Sequence, residues 1–159
     1  MTDDLPELLA GLAFLLGTWR GVGRGTFPTI DGFDYGEELS FTYHGEPWLA
    51  VDQRAWSLDD EVTLHMERGF LRPVPGSTVE LVLAHPIGVA EVAHGTLTGT
   101  TLEVSTDPGL AARSETGLEV SELRRRYEVV EDSMRYRIDM ATAGTALTEH
   151  LSADLRRVT

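Results

Sequence analysis

The chain has 159 residues, of which 42% are hydrophobic, and its mean hydropathy is -0.13; these values are typical of a single globular domain, here over residues 1–159, with a sizeable core. Its net charge of -13 makes nucleic acid a poor partner on electrostatic grounds. The absence of cysteine excludes disulfides, thiolate metal sites and a cysteine nucleophile.

The beginning of the chain predicts a short helix. Residues 1–6 contain two acidic residues and no basic region, which is not the pattern of a signal peptide. The longest apolar run, residues 8–16, is too short to cross a bilayer, and its leucines follow helical spacing. We therefore expect a short N-terminal helix, a cytoplasmic protein and no membrane partner.

Residues 17–27 are unusually rich in glycine. Gly21, Gly23 and Gly25 share one face of any strand drawn here, together with Trp19. Glycine weakens the interior of a strand unless a bend, a bulge or a close approach requires it. The pattern favours a sharply curved first strand of a small closed barrel, with Trp19 large enough to plug one end.

The rest of the chain predicts short strands separated by turn signals. They fall at residues 37–43, 48–56, 62–72, 78–84, 89–97, 100–105, 118–130, 134–143 and 146–156. With the first strand this makes about ten, at the regular spacing of an all-β antiparallel barrel. A barrel of that width leaves an interior ligand cavity. The polar stretch 106–117 is expected to be the longest and most mobile loop.

Most charged and polar candidates have ordinary interpretations. His44, His85 and His94 lie beside glycine or proline and are interpreted as solvated turn residues. The acids at residues 37–38 are interpreted as exposed charge, and the arginines at residues 124–126 as two outward side chains and one near a barrel rim. No histidine pair has the spacing of a helix-borne zinc site, so a zinc enzyme is disfavoured.

Two further histidines, His65 and His150, lie inside predicted strands. For either His65 or His150 alone, a structural role remains open beside a ligand role. Because successive side chains of a strand point to opposite faces, His150 shares its face with Thr148 and Ser152. Leucines occupy the opposite face. A bulge, or a cavity with a partly polar rim, would be needed for His150 to point inward.

Several segments resemble one known family. Gly17-x-Trp19-x-Gly21-x-Gly23 resembles the GxWxGxG signature of the nitrobindin family, whose members are haem-binding ten-stranded barrels similar in shape to the fatty-acid-binding proteins among the calycins. Further segments resemble that family in the same order, at residues 25–30, 35–38, 44–47, 53–56, 65–73, 79–84, 125–127, 140–144 and 150–157. The resemblance covers nearly the whole chain, from residue 11 to residue 157.

The resemblance implies a function. It implies that the chain binds one haem b with ferric iron, and that His150 is the iron ligand and the catalytic residue. A single neutral imidazole leaves the sixth coordination position open to a small molecule. It further implies that nitric oxide binds there, that the protein is an isomerase converting peroxynitrite to nitrate, and that a homodimer forms.

The remaining cofactor-binding candidates surround the expected cavity. Three match positions that lie near the cavity in the family: Leu64, His65 and Met140. Three follow the first strand and are expected at the pocket mouth: Thr29, Ile30 and Phe33. Met140 also shares its strand face with Tyr136 and Ile138, which favours an inward side chain.

One departure from the family lies beside the expected haem. Many members carry lysine in a Thr-Ala-Lys-Glu-Val segment, whereas residues 116–120 place Leu118 at that position. A haem propionate or a bound anion would lose a charge-assisted partner. Arg113 in the preceding loop is a candidate substitute.

Two other functions stay open. The same cavity, the parity of His150 and the missing lysine fit a barrel that binds a fatty acid or another apolar ligand without haem chemistry. A partner-binding module that has lost its cofactor is the third possibility, and it would require an interior filled by side chains.

Overall fold

The computed structural model describes residues 5–106 and 112–159. Within them a 3₁₀ helix spans Glu7–Leu15 and is followed by eleven strands. The strands are β1 (Gly17–Phe27), β2 (Ile30–Tyr43), β3 (Leu49–Ser57), β4 (Thr63–Val74), β5 (Thr78–His85), β6 (Val89–Thr98), β7 (Thr101–Ser105), β8 (Ala112–Arg113), β9 (Val120–Val130), β10 (Ser133–Thr142) and β11 (Thr145–Arg157). No helix in the described part of the chain is long and apolar enough to cross a membrane.

Ten of these strands form a closed antiparallel barrel. Each of β1 to β5 pairs with the next, β5 pairs with β6, and the circuit returns through β7, β9, β10 and β11 to β1. The two-residue β8 pairs with β6 alone and stands outside this circuit. The prediction of an all-β barrel of about ten strands with a short N-terminal helix is therefore confirmed.

The helix is confirmed, and its type follows from the leucine spacing. Its buried residues are Leu9, Leu12 and Leu15, which are three apart. A 3₁₀ helix has three residues per turn and stacks such positions on one side. These leucines share the hydrophobic core with the barrel.

Trp19 is packed as the glycine-rich strand predicts. It is fully buried in the same core as the helix leucines, and its Nε1 donates to the carbonyl of Leu15 at 2.8 Å. The guanidinium of Arg157 lies 4.0 Å from the centre of its ring. Arg157 also donates to the carbonyls of Phe14 and Leu16, so β11 holds the end of the helix against the barrel.

Two of the glycines make room for aromatic rings. Gly23 pairs directly with Tyr35, and Gly25 pairs with Phe33 on β2. A Cβ added to Gly23 would lie 2.3 Å from the Tyr35 ring, and one added to Gly25 would lie 2.2 Å from the Phe33 ring. Glycines inside a strand indicate that another group approaches the backbone closely. Here the rings of Tyr35 and Phe33 approach the backbone of β1.

Most strand boundaries agree with the sequence-based expectation to within two residues, and two regions differ by more. β2 begins at Ile30 rather than at residue 37, because glycines and aspartates that look like a turn pair along the curved β1 instead. In the expected loop 106–117, Ala112–Arg113 forms β8, while residues 107–111 lie outside the described residues.

Candidate functional site

A mostly apolar cavity of about 230 Å³ opens from the barrel interior. It is lined by Phe33, Tyr35, Gln53, Ala55, Leu64, His65, Ile87, Leu118, Met140, His150 and Leu151. Three apolar side chains of this lining are substantially exposed: Leu64, Ile87 and Leu118. Phe33 and Leu64 also border an adjoining open depression of about 710 Å³. The cavity therefore continues outward past an exposed apolar rim.

A bulge in β11 brings His150 into this lining. Ile138 pairs with Leu151, but the next residue on β10, Asp139, pairs with Glu149, so His150 is the extra residue. An extra residue of this kind re-aims a side chain relative to strict alternation. A bulge, one of the two conditions under which His150 could point inward, is therefore present.

The hydrogen bonding of His150 fixes its tautomer. Its Nδ1 lies 3.0 Å from the carbonyl oxygen of Thr26 on β1. Because a carbonyl can only accept, Nδ1 carries a proton, and in the neutral ring Nε2 keeps a lone pair. The ring also packs edge-on against Phe27, with 5.5 Å between ring centres. A histidine oriented in this way through Nδ1 is the usual arrangement of a metal-ligating imidazole.

The structure brings most of the candidate residues together. Six of them line the cavity: Phe33, Leu64, His65, Leu118, Met140 and His150. Thr29 and Ile30 are exposed, lie in the turn and at the start of β2, and are not part of the lining. Arg113 donates to the carbonyl of Gly117 at 3.2 Å and to Glu119 at 3.1 Å. Its guanidinium is therefore hydrogen-bonded within its own loop.

Polar side chains form a buried network beside the cavity. Glu37 accepts hydrogen bonds from Tyr136 and, at 3.1 Å, from the Nε2 of Gln53. The hydroxyls of Tyr35 and Tyr136 are 2.7 Å apart. Within the described residues, Gln53 Oε1 is a buried acceptor without a partner.

The interpretation of Glu37 as exposed charge is wrong, since its exposure is 1%. β2 places it on the same face as Leu39 and Phe41, and extending that alternation by one step identifies it. Burial raises the pKa of Glu37 to about 7, although hydrogen bonds from Tyr136 and Gln53 favour its charged form.

A second buried network is centred on Arg125. Its Nη1 and Nη2 donate to the two carboxylate oxygens of Glu67 at 2.8 and 2.9 Å, and its Nε and Nη2 donate to those of Glu91 at 2.9 and 2.7 Å. Nη1 also donates to the hydroxyl of Tyr127 at 3.3 Å. These five bonds match the five N–H donors of a guanidinium.

Two interpretations are corrected by this network. Arg125 is 2% exposed inside the barrel rather than near a rim, because it shares the inward face of β9 with Leu123 and Tyr127. The two neighbouring arginines point outward as expected. His85 is not a solvated turn residue: β5 extends to it, and its 4%-exposed side chain meets Glu91 at 3.0 Å.

Comparison with known protein families identifies the family of this chain. The model of the THAP4-like, heme-binding β-barrel domain matches residues 8–157. The chain belongs to this family. The resemblance to the nitrobindin family drawn from the glycine-rich strand and the following segments is therefore confirmed.

Relatives of this THAP4-like barrel share nearly its whole length. A peroxynitrite isomerase of Nocardia farcinica is 44% identical over 94% of this chain and 90% of its own. Peroxynitrite isomerase 2 of Mycobacterium ulcerans is 42% identical over 99% of both chains. The crystal structure of Rv2717c from M. tuberculosis matches with a TM-score of 0.90 and 38% identity, covering 98% of this chain and 100% of that one.

Proposed function

We propose that this chain binds haem b in the apolar cavity through His150 and isomerises peroxynitrite to nitrate. The observation that carries the proposal is the bulge at His150, whose Nδ1 is bound to the Thr26 carbonyl while its Nε2 keeps a lone pair in the cavity lining. Family membership and the peroxynitrite isomerases among the relatives support it.

The residues present fit a haem group. A neutral imidazole is a good iron ligand, and the carbonyl bound to its Nδ1 orients it and raises its basicity. The cavity is smaller than the ~300 Å³ at which pockets for drug-sized ligands begin, so part of the macrocycle would remain outside. The exposed side chains of Leu64, Ile87 and Leu118 offer apolar contact there.

Bound haem would supply a ferric iron with one open position for nitric oxide or peroxynitrite. His150 would hold that iron, while Phe33 and Met140 would keep water out of the cavity. Exclusion of water limits the escape and side reactions of reactive species. Leu118 provides no positive charge at the rim, so we expect haem binding to rest on the iron ligand and apolar contact.

The alternative of a fatty-acid carrier is disfavoured by the interior charges. A buried carboxylate ligand needs a free cation. Arg125, the buried arginine of the described residues, already uses its five donors on Glu67, Glu91 and Tyr127. A ligand whose carboxylate is buried beside Arg125 would therefore have to break an internal ion pair.

We further propose that the protein forms a homodimer. An exposed apolar row crosses three strands, since Phe70 pairs with Val82 and Val82 pairs with Val92. The exposed Trp48 packs edge-on against Phe70, with 6.3 Å between ring centres. Contiguous exposed apolar surface is typical of an interaction site. A wild-type protein and a Val82→Asp variant with the same sedimentation coefficient would contradict this interface.

A haemin titration followed by absorbance tests the main proposal. We expect the wild type to saturate at one haemin per chain with a Soret band, and His150→Ala to lose that band or bind far more weakly. His44→Ala is the matched control, because His44 is exposed in a turn. Unchanged haemin binding by His150→Ala would refute the assignment. Peroxynitrite decay with nitrate as product, measured on the loaded wild type, tests the reaction.

A further inference from the structure

Three metal-ligand atoms meet where the cavity lining touches the Arg125 network. They are His65 Nε2, Glu67 Oε1 and His85 Nδ1. The Nε2 of His65 is 3.3 Å from the Glu67 oxygen and 3.4 Å from the His85 nitrogen, and those last two atoms are 3.5 Å apart. In the metal-free protein the contact between the two histidine nitrogens is a hydrogen bond.

The three separations match one face of a coordination tetrahedron. Zinc binds histidine nitrogen and carboxylate oxygen at about 2.0–2.2 Å, so two ligands at tetrahedral corners are about 3.3–3.6 Å apart. Each of the three observed distances falls in this interval. A metal ion can therefore be bound with little movement of the side chains.

The surrounding residues already orient the ligands. His85 Nε2 lies 3.0 Å from Oε2 of Glu91 and donates to it, so in the neutral ring Nδ1 keeps its lone pair. A ligating histidine that donates its other N–H to a carboxylate is the usual outer shell of a zinc site. Glu67 is likewise fixed, because Arg125 holds both of its oxygens.

The charge of the network also favours a cation. Glu67 and Glu91 carry two negative charges and Arg125 one positive charge, and all three side chains are buried. The two carboxylates exceed Arg125 by one negative charge, so the network attracts rather than repels a bound cation.

We propose that His65, Glu67 and His85 form a site for a divalent transition-metal ion, distinct from the site at His150. Two imidazoles and one carboxylate favour zinc or cobalt over magnesium and calcium, which prefer oxygen ligands. His65 is partly exposed in the cavity lining, so the ion enters from the cavity. Water or a cavity ligand completes the coordination.

Titration with Co²⁺ tests the proposal, because four-coordinate Co²⁺ absorbs in the visible. The full-length chain, without added haem, is treated with a chelator and titrated with Co²⁺ and then with Zn²⁺. We expect saturation at one Co²⁺ per chain and displacement by Zn²⁺. His65→Gln and His85→Gln should each weaken binding about 100-fold or more.

Two control variants locate the site. His150→Gln removes the proposed haem ligand and His44→Gln an exposed turn histidine, and both should bind Co²⁺ as the wild type does. If His85→Gln does not fold, Co²⁺ binding by His65→Gln still tests the proposal, because His65 is partly exposed and its replacement disturbs the core less. No saturable visible band in the wild type, or a band lost with His150→Gln and kept with His65→Gln, would overturn the proposal.

Discussion

Replacing Glu37 with glutamine removes one buried titration and leaves the shape of the side chain unchanged. The glutamine can still accept from Tyr136, and its amide nitrogen can donate to Gln53 Oε1, which lacks a partner among the described residues. The change therefore isolates the protonation of one carboxyl group inside the barrel.

The size and sign of the effect follow from the pKa. Burial raises the pKa of Glu37 from 4.5 to about 7, so between these pH values the folded state holds a proton that the unfolded state has released. Stability from this group is therefore complete below pH 4.5 and is lost as the pH rises through 7. A difference of about 2.5 pKa units corresponds to about 3 kcal/mol in total, of which about 2–3 kcal/mol falls between pH 5 and pH 8.

Urea unfolding at pH 5 and pH 8 measures this difference. We expect the wild type to lose about 2–3 kcal/mol more free energy of unfolding than Glu37→Gln over this interval. All other titrations are common to the two proteins and cancel. Glu38→Gln, a change at the partly exposed neighbour that pairs with Arg20, is the matched control and should behave as the wild type. Equal pH dependence in wild type and Glu37→Gln would refute the argument.

Three further predictions concern packing, the cavity rim and the ion network. Gly23→Ala should lower the free energy of unfolding by about 1–3 kcal/mol, because the new Cβ would lie 2.3 Å from the Tyr35 ring; Gly144→Ala, with nothing within 4 Å, should change it little in the same urea assay. Leu118→Lys should tighten haemin binding by about threefold in a titration, the size of an exposed ion pair, and equal binding would contradict a role for charge at the rim. Arg125→Met should cost about 3–5 kcal/mol of unfolding free energy at neutral pH, because two buried carboxylates lose their partner; a loss below about 1 kcal/mol, the worth of an exposed pair, would contradict that.

The barrel could be predicted because its signals are local. Strands and turns alternate at short intervals, and each strand pairs with a neighbour in sequence except where β7 meets β9, β1 meets β11 and β8 joins β6. The start of β2 could not be predicted in this way. Its glycines and aspartates look like a turn when read alone, and they become a strand through pairing with β1.

The site was predictable where one strand carries the signal and not where several strands meet. Alternation along β11 indicates that an inward His150 needs a bulge or a cavity with a partly polar rim, and a bulge is present. By contrast, Arg125 is 58 residues from Glu67 and 34 from Glu91. Alternation along β9 indicates that Arg125 points inward, but only closure of the barrel brings the two carboxylates to it.

The polar interior explains how an open cavity survives in a small barrel. Apolar side chains in place of the buried ion network would often be equally or more stable, but they could also collapse into the cavity. Charged groups with fixed partners hold one arrangement, and Arg125 is bound on both sides by carboxylates. The cost appears in the raised pKa of Glu37 and in the Oε1 of Gln53, which has no hydrogen-bond partner in the described part of the chain. A ligand that fills the cavity binds the folded state alone, so it restores by mass action part of the stability that the open cavity gives up.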